Sequence, residues 1–167
     1  MFKNLFSKNK GKEEEVKEEA KVEVKEESKV ETPAPAQETR ELVDMDIALA
    51  NCGDMEDMLK EMFGVFAESK DEKRTEMENE YKAQDWENYR IHVHALKSTS
   101  LTVGCVPLNE LAKDVELAAK EIVEGADEAR KAELVAHINE HHDELMKLYD
   151  DTVAVVIKKA DEIEVDE

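Results

Sequence analysis

The residues best suited to chemistry lie in His92-Val93-His94-Ala95-Leu96-Lys97-Ser98-Thr99-Ser100. A neutral imidazole nitrogen is a nucleophile near pH 7 and can accept a phosphoryl group. On a helix turning about 100° per residue, Trp86, Tyr89, Val93, Leu96, Ser100 and Val103 share one apolar seam, and His94 points roughly 140° from its centre, toward solvent. Lys97 flanks it one turn later, where an ammonium can pair with phosphoryl oxygens. Ser98 stands over the ring at i+4, leaving space above the imidazole and bringing a hydroxyl within hydrogen-bond reach. Ile91 and Leu101 lie beside the histidine on the outward face, an apolar surface on which a partner could dock. Arg90, His94 and Lys97 together predict an island of positive potential. On geometry alone, this arrangement weighs about evenly against an ordinary surface histidine.

Other histidines offer weaker chemistry. His137-Ile138-Asn139-Glu140-His141 matches an H-x-x-E-H zinc-peptidase pattern, with His142 following. Two histidines at i and i+4 can chelate zinc, but the sequence names no third ligand and no cleft, and His141 falls on the apolar stripe of its helix. No metal and no cofactor is therefore expected on this chain. His92 lies near the edge of its seam, five residues from Lys97, and makes a poor acceptor. Met55, Met58 and Met62, at helical spacing, are expected to fill core.

The elements that position these groups are helices. Asp44 to Asn51 predicts a short leading helix stopped by Gly53; Asp54 is the expected N-cap of a second, with Met55, Leu59, Met62 and Phe66 inward. Helix continues from Asp71 to Lys82 after a break near Ser69. Asp85 caps the helix that carries His94, and Gly104 stops it. Pro107 opens the next, with Leu108, Leu111, Val115, Ala118 and Ile122 inward, ended by Gly125. A long last helix runs from about Glu128 toward Lys159, with Leu134, Ile138, His141, Leu145, Leu148 and Val155 on one stripe. Nothing alternates with period two. The expected fold is all-α: an antiparallel up-and-down four-helix bundle over residues 42–160, with a short extra N-terminal helix.

Outside that bundle, residues 1–41 form a Lys/Glu-rich tail, expected to be disordered, with a stiff Thr32-Pro33-Ala34-Pro35-Ala36 spacer; residues 161–167 are an acidic tail. Phe2, Leu5 and Phe6 are expected to fray rather than anchor. The 167 residues carry 23 basic and 43 acidic side chains, net −20. Such a surface repels phosphate backbones, so no nucleic-acid partner is expected. The longest aliphatic run, Val153 to Ile157, is too short for a membrane span. Cys52 and Cys105 lie far apart, and no signal-peptide core is evident, so the chain is expected to be cytoplasmic with reduced thiols.

His94-Ala95-Leu96-Lys97-Ser98-Thr99-Ser100 resembles the signature of histidine-containing phosphotransfer (HPt) domains: His, any residue, Leu, Lys, Gly, then two small residues. Asp85-Trp86 and Gly104 stand at the spacing such domains use, and Leu108, Leu111 and Glu116 fit the family's next helix, so the resemblance covers about residues 44–158. It implies a phosphorelay intermediate of two-component signalling. His94 would accept a phosphoryl group from a receiver-domain aspartyl phosphate and pass it to another receiver's aspartate, with Lys97 steadying the phosphoryl charge. It further implies a phosphoryl carrier, not an enzyme, with no nucleotide site or autokinase activity, consistent with the lack of a Gly-rich phosphate loop. Its partners would be response-regulator receiver domains and a hybrid histidine kinase, Mg2+ would sit on the receiver, and the chain would act as a monomer. Ser98 departs from the family's usual Gly, a change expected to tune transfer rather than abolish it. The alternative is a binding-only adaptor that docks a receiver or scaffold without carrying phosphate.

Overall fold

A computed structural model describes residues 41–164; the N-terminal segment and its Pro-containing spacer, with residues 165–167, lie outside the described residues. Six helices follow in order: α1 Met45–Asn51, α2 Glu56–Glu68, α3 Lys70–Ala83, α4 Trp86–Thr102, α5 Val106–Val123 and α6 Glu128–Glu162. Among the described residues there is no strand, and no helix is long and apolar enough to cross a membrane. Ser69 alone separates α2 from α3, and its φ of −78° and ψ of −6° keep the chain nearly helical, so α2 and α3 form one broken rod. That rod, α4, α5 and α6 make the four-helix bundle expected from the seams, with α1 as the extra leading helix.

Of the two N-caps expected from the sequence, Asp85 caps its helix and Asp54 does not. Asp44, Asp85 and Asp127 each accept a backbone N–H of the first turn, at 3.0, 3.2 and 2.8 Å. Asp54 does not cap α2. It follows Gly53 in the left-handed region, with φ values of 64° and 60°, and this pair of left-handed residues turns the chain out of α1. The N-cap position falls instead to Met55, whose extended backbone fits it but whose side chain cannot bond.

Gly104 does more than stop α4. Its φ is 78°, its carbonyl accepts the Asp44 N–H at 2.9 Å, and a Cβ there would collide with the Asp44 carbonyl oxygen. The glycine thus lets the start of α1 lie directly on the end of α4.

The core confirms the α4 seam residue for residue: Trp86, Tyr89, Val93, Leu96, Ser100 and Val103 are all buried. Ser100 is tolerated there because its hydroxyl donates to the Lys97 carbonyl at 2.9 Å. Two stripes shift. In α2 the buried set is Leu59, Phe63 and Phe66, while Met55 and Met58 are exposed and only Met62 of this methionine run packs against the core. In α6 the buried line runs Leu134, Ile138, His142, Leu145, Tyr149, Thr152 and Val156, placing His142 inside and His141 at the boundary. Val155 and Leu148 pack partly against this core. The helix continues past Lys159 to Glu162, and Ile163 is buried.

Candidate functional site

Helices α4 and α5, joined by the tight Val103–Cys105 connection, lie antiparallel and carry the candidate site between them. His94 projects outward, with its side chain 56% exposed. Its Nδ1 lies 2.6 Å from Oε1 of Glu116, and Nζ of Lys97 lies 2.5 Å from Oε2 of the same carboxylate. One buried glutamate therefore bridges the two residues singled out from the sequence. Asn109 donates to the Lys97 carbonyl at 2.7 Å, a further tie between the two helices at this level.

Glu116 is held where it is by α5. It follows Ala112 by four residues and precedes Ala119 by three, so it stands in the buried stripe with only 8% of its side chain exposed. Burial alone would raise its carboxyl; hydrogen bonds from Lys97 and His94 outweigh that and hold it below the ordinary glutamate value. A carboxylate accepts only, so His94 Nδ1 is the donor in this contact, and in the neutral ring the lone pair lies on Nε2. The bridge to His94 was missed in the sequence. The available signal was an acidic residue inside an otherwise apolar and alanine-rich stripe, which a buried position must pair.

The other site residues fall as follows. Ser98 is exposed and donates its hydroxyl to the His94 carbonyl at 3.2 Å, so that hydrogen is committed to the helix backbone rather than to the imidazole. Ile91 and Leu101 are 48% and 44% exposed, and Arg90 is half-buried. Because Glu116 takes up the Lys97 charge, the positive island around His94 is smaller than the sequence suggests.

The remaining histidines have other surroundings. His92 sets Nδ1 2.7 Å from Glu80 and Nε2 3.3 Å from Glu76, tying α4 to α3. His142 is buried: the Tyr89 hydroxyl lies 2.8 Å from its Nδ1, and Tyr81 stacks on its ring at 3.7 Å and 9°. Burial lowers its proton affinity and pushes the Tyr89 phenol well above its usual range. His137 and His141 lie on the outer side of α6 facing Asp114 of α5, with His137 Nε2 2.6 Å from the carboxylate.

The site is thus an outward imidazole on a helical bundle, braced by a buried carboxylate. The Hpt domain family profile matches residues 61–148, more than half of the chain, and the chain belongs to that family. The fold is similar to the crystal structure of the HPT domain from the Hpt sensor hybrid histidine kinase from Shewanella, at 18% sequence identity and a TM-score of 0.57, over 74% of this chain and 97% of that one. No curated protein sequence matches the chain.

Proposed function

We propose that this Hpt-family protein is a phosphorelay intermediate in which His94 Nε2 accepts a phosphoryl group from a receiver-domain aspartyl phosphate and returns it to another receiver's aspartate. The observation that carries this reading is the Glu116 bridge, which engages His94 Nδ1 and so, in the neutral ring, places the lone pair on Nε2.

The transfer follows from that geometry. Nε2 attacks phosphorus, the N–P bond forms, and the bond to the aspartyl oxygen breaks, returning the electron pair to the aspartate. The imidazole becomes positively charged as Nε2 gives up its lone pair, and Nδ1 keeps its proton. Glu116, 2.6 Å away, is placed to offset that charge without taking the proton. Lys97, held by the same carboxylate, offers its remaining N–H groups to the incoming phosphoryl oxygens. The reverse step runs through the same contacts.

Ile91 and Leu101 supply the apolar rim on which a receiver docks, with Arg90 beside them. Mg2+ belongs to the receiver, and this chain carries the phosphoryl group as a cytoplasmic monomer, with no nucleotide or autokinase step of its own. Incubation with a phosphorylated receiver should label the wild-type chain with an acid-labile, base-stable phosphate and leave His94→Gln unlabelled. A chain that binds the receiver yet stays unlabelled would be an adaptor instead.

A further inference from the structure

The fold completes a ligand set that the sequence shows only in part. His137 and His141 are one turn apart on α6, and Asp114 of α5 faces them across the helix interface, so that one ligand atom from each lies within 4.8 Å of the other two. We propose that Asp114, His137 and His141 form a binding site for a divalent transition ion of the zinc class, clamping α5 to α6. The proposal does not rest on the phosphotransfer role of His94.

Three observations point to zinc rather than to a chance meeting of polar groups. First, the donor set is two imidazoles and one carboxylate, which suits a borderline-soft ion and not calcium or magnesium. Second, His141 donates its Nδ1–H to the His137 carbonyl at 2.8 Å. That bond fixes the tautomer and leaves Nε2 as the nitrogen free to ligate, the outer hydrogen bond that metal-bound histidines ordinarily make. Third, the local charge favours a cation. Glu121 and Glu133 line the same pocket as Asp114 and His137, and the one cation there, Arg130, is already paired with both glutamates at 2.7 and 3.0 Å.

Without metal, the 2.6 Å contact between His137 Nε2 and Asp114 Oδ2 is a hydrogen bond. With metal, the shared proton leaves Nε2, Nδ1 becomes the protonated nitrogen, and the ion takes the proton's place between nitrogen and carboxylate. Tetrahedral zinc at its usual bond lengths holds donors about 3–3.5 Å apart, a contraction that rotamer adjustment of these half-exposed side chains can supply. Water would fill the fourth position.

The test is titration of the untagged full-length chain with zinc chloride, followed by calorimetry and by thermal unfolding, and repeated with Co2+ to read the ligand-field spectrum. One ion per chain is expected, with a rise of several degrees in the unfolding midpoint that EDTA reverses. His137→Ala, His141→Gln and Asp114→Asn should each weaken binding at least about 10-fold with unchanged far-ultraviolet circular dichroism. His92→Gln and His94→Gln should bind as the parent does. No saturable binding below about 1 mM, or binding unaltered in both His137→Ala and His141→Gln, would overturn the site.

Discussion

The Glu116 carboxylate reaches His94 Nδ1 with one oxygen and Lys97 Nζ with the other, at 2.6 and 2.5 Å, from a position in the buried stripe of the neighbouring helix. In the proposed transfer, a carboxylate in that place orients the imidazole and balances the charge that would appear on it when Nε2 reacts. Replacing the charge while keeping the shape separates these two tasks. Glu116→Gln can still accept from Nδ1–H, so the tautomer survives and the counter-charge is lost. Phosphotransfer to His94 should slow about 10- to 100-fold, with receiver affinity unchanged. Glu116→Ala should slow it further and lower stability, because the partly buried Lys97 ammonium loses its partner. Single-turnover transfer from a phosphorylated receiver measures both; equal rates for Glu116→Gln and the parent would remove the carboxylate from the mechanism.

Ser98 tests how much room the acceptor needs. Its hydroxyl bonds the His94 carbonyl, leaving only the bulk of Cβ and Oγ near the ring. Ser98→Gly should change the transfer rate by only a few-fold while costing up to about 1 kcal/mol of helix stability. A parent that fails to transfer and a glycine variant that succeeds would show that the serine blocks access.

His142 makes stability sensitive to mild acid. Burial lowers its proton affinity in the folded chain; Asp143 and Glu78 offset this in part, and Arg74 and Lys82 reinforce it. The unfolded histidine takes its proton near pH 6.5 while the folded one resists until lower pH, so the unfolded state binds more protons in that interval. Stability is therefore fully present above about pH 6.5 and is lost as pH falls below it. Glu116, with its folded value depressed, adds a second loss that begins only near the ordinary glutamate range, about pH 4.5. In His142→Phe the unfolding midpoint should be lower at pH 7.5, because the buried Tyr89 hydroxyl loses its partner at a cost of about 1–3 kcal/mol. The fall between pH 7 and 5.5 should also flatten. An unchanged slope would assign that acid sensitivity to other groups.

Gly104 joins α4 to α1 at a point no side chain can occupy. Gly104→Ala combines a left-handed alanine, about 1–2 kcal/mol, with a collision against the Asp44 carbonyl, about 1–3 kcal/mol more. Denaturant unfolding should show a loss in that combined range. Gly125→Ala, also at positive φ but with open space around it, should cost only the backbone part.

The sequence made some elements legible and hid others for physical reasons. The α4 seam was readable because its large residues recur at three and four without interruption, and the outward direction of His94 followed from it. The α6 stripe was read one residue off at His141 because six polar residues in succession, Asn139 to Glu144, give the period no apolar marker. What fixes the register there is the stacking of His142 on Tyr81, a contact between distant parts of the chain. Asp54 looked like a cap because residue type predicts capping, whereas its left-handed backbone is set by the turn that follows α1. The contacts of Glu116 with His94 and of Asp114 with His137 were the costly omissions. Each joins residues of two helices, and helical periodicity describes one helix at a time.

In the proposed transfer, His94 reacts through Nε2 because Glu116 occupies Nδ1. Phosphorylation by a receiver, followed by nuclear magnetic resonance of the imidazole-labelled chain, identifies the nitrogen that bears phosphorus. Nε2-phosphohistidine is expected at His94 and at no other histidine. Phosphorus on Nδ1 of His94, or on His92, would contradict it.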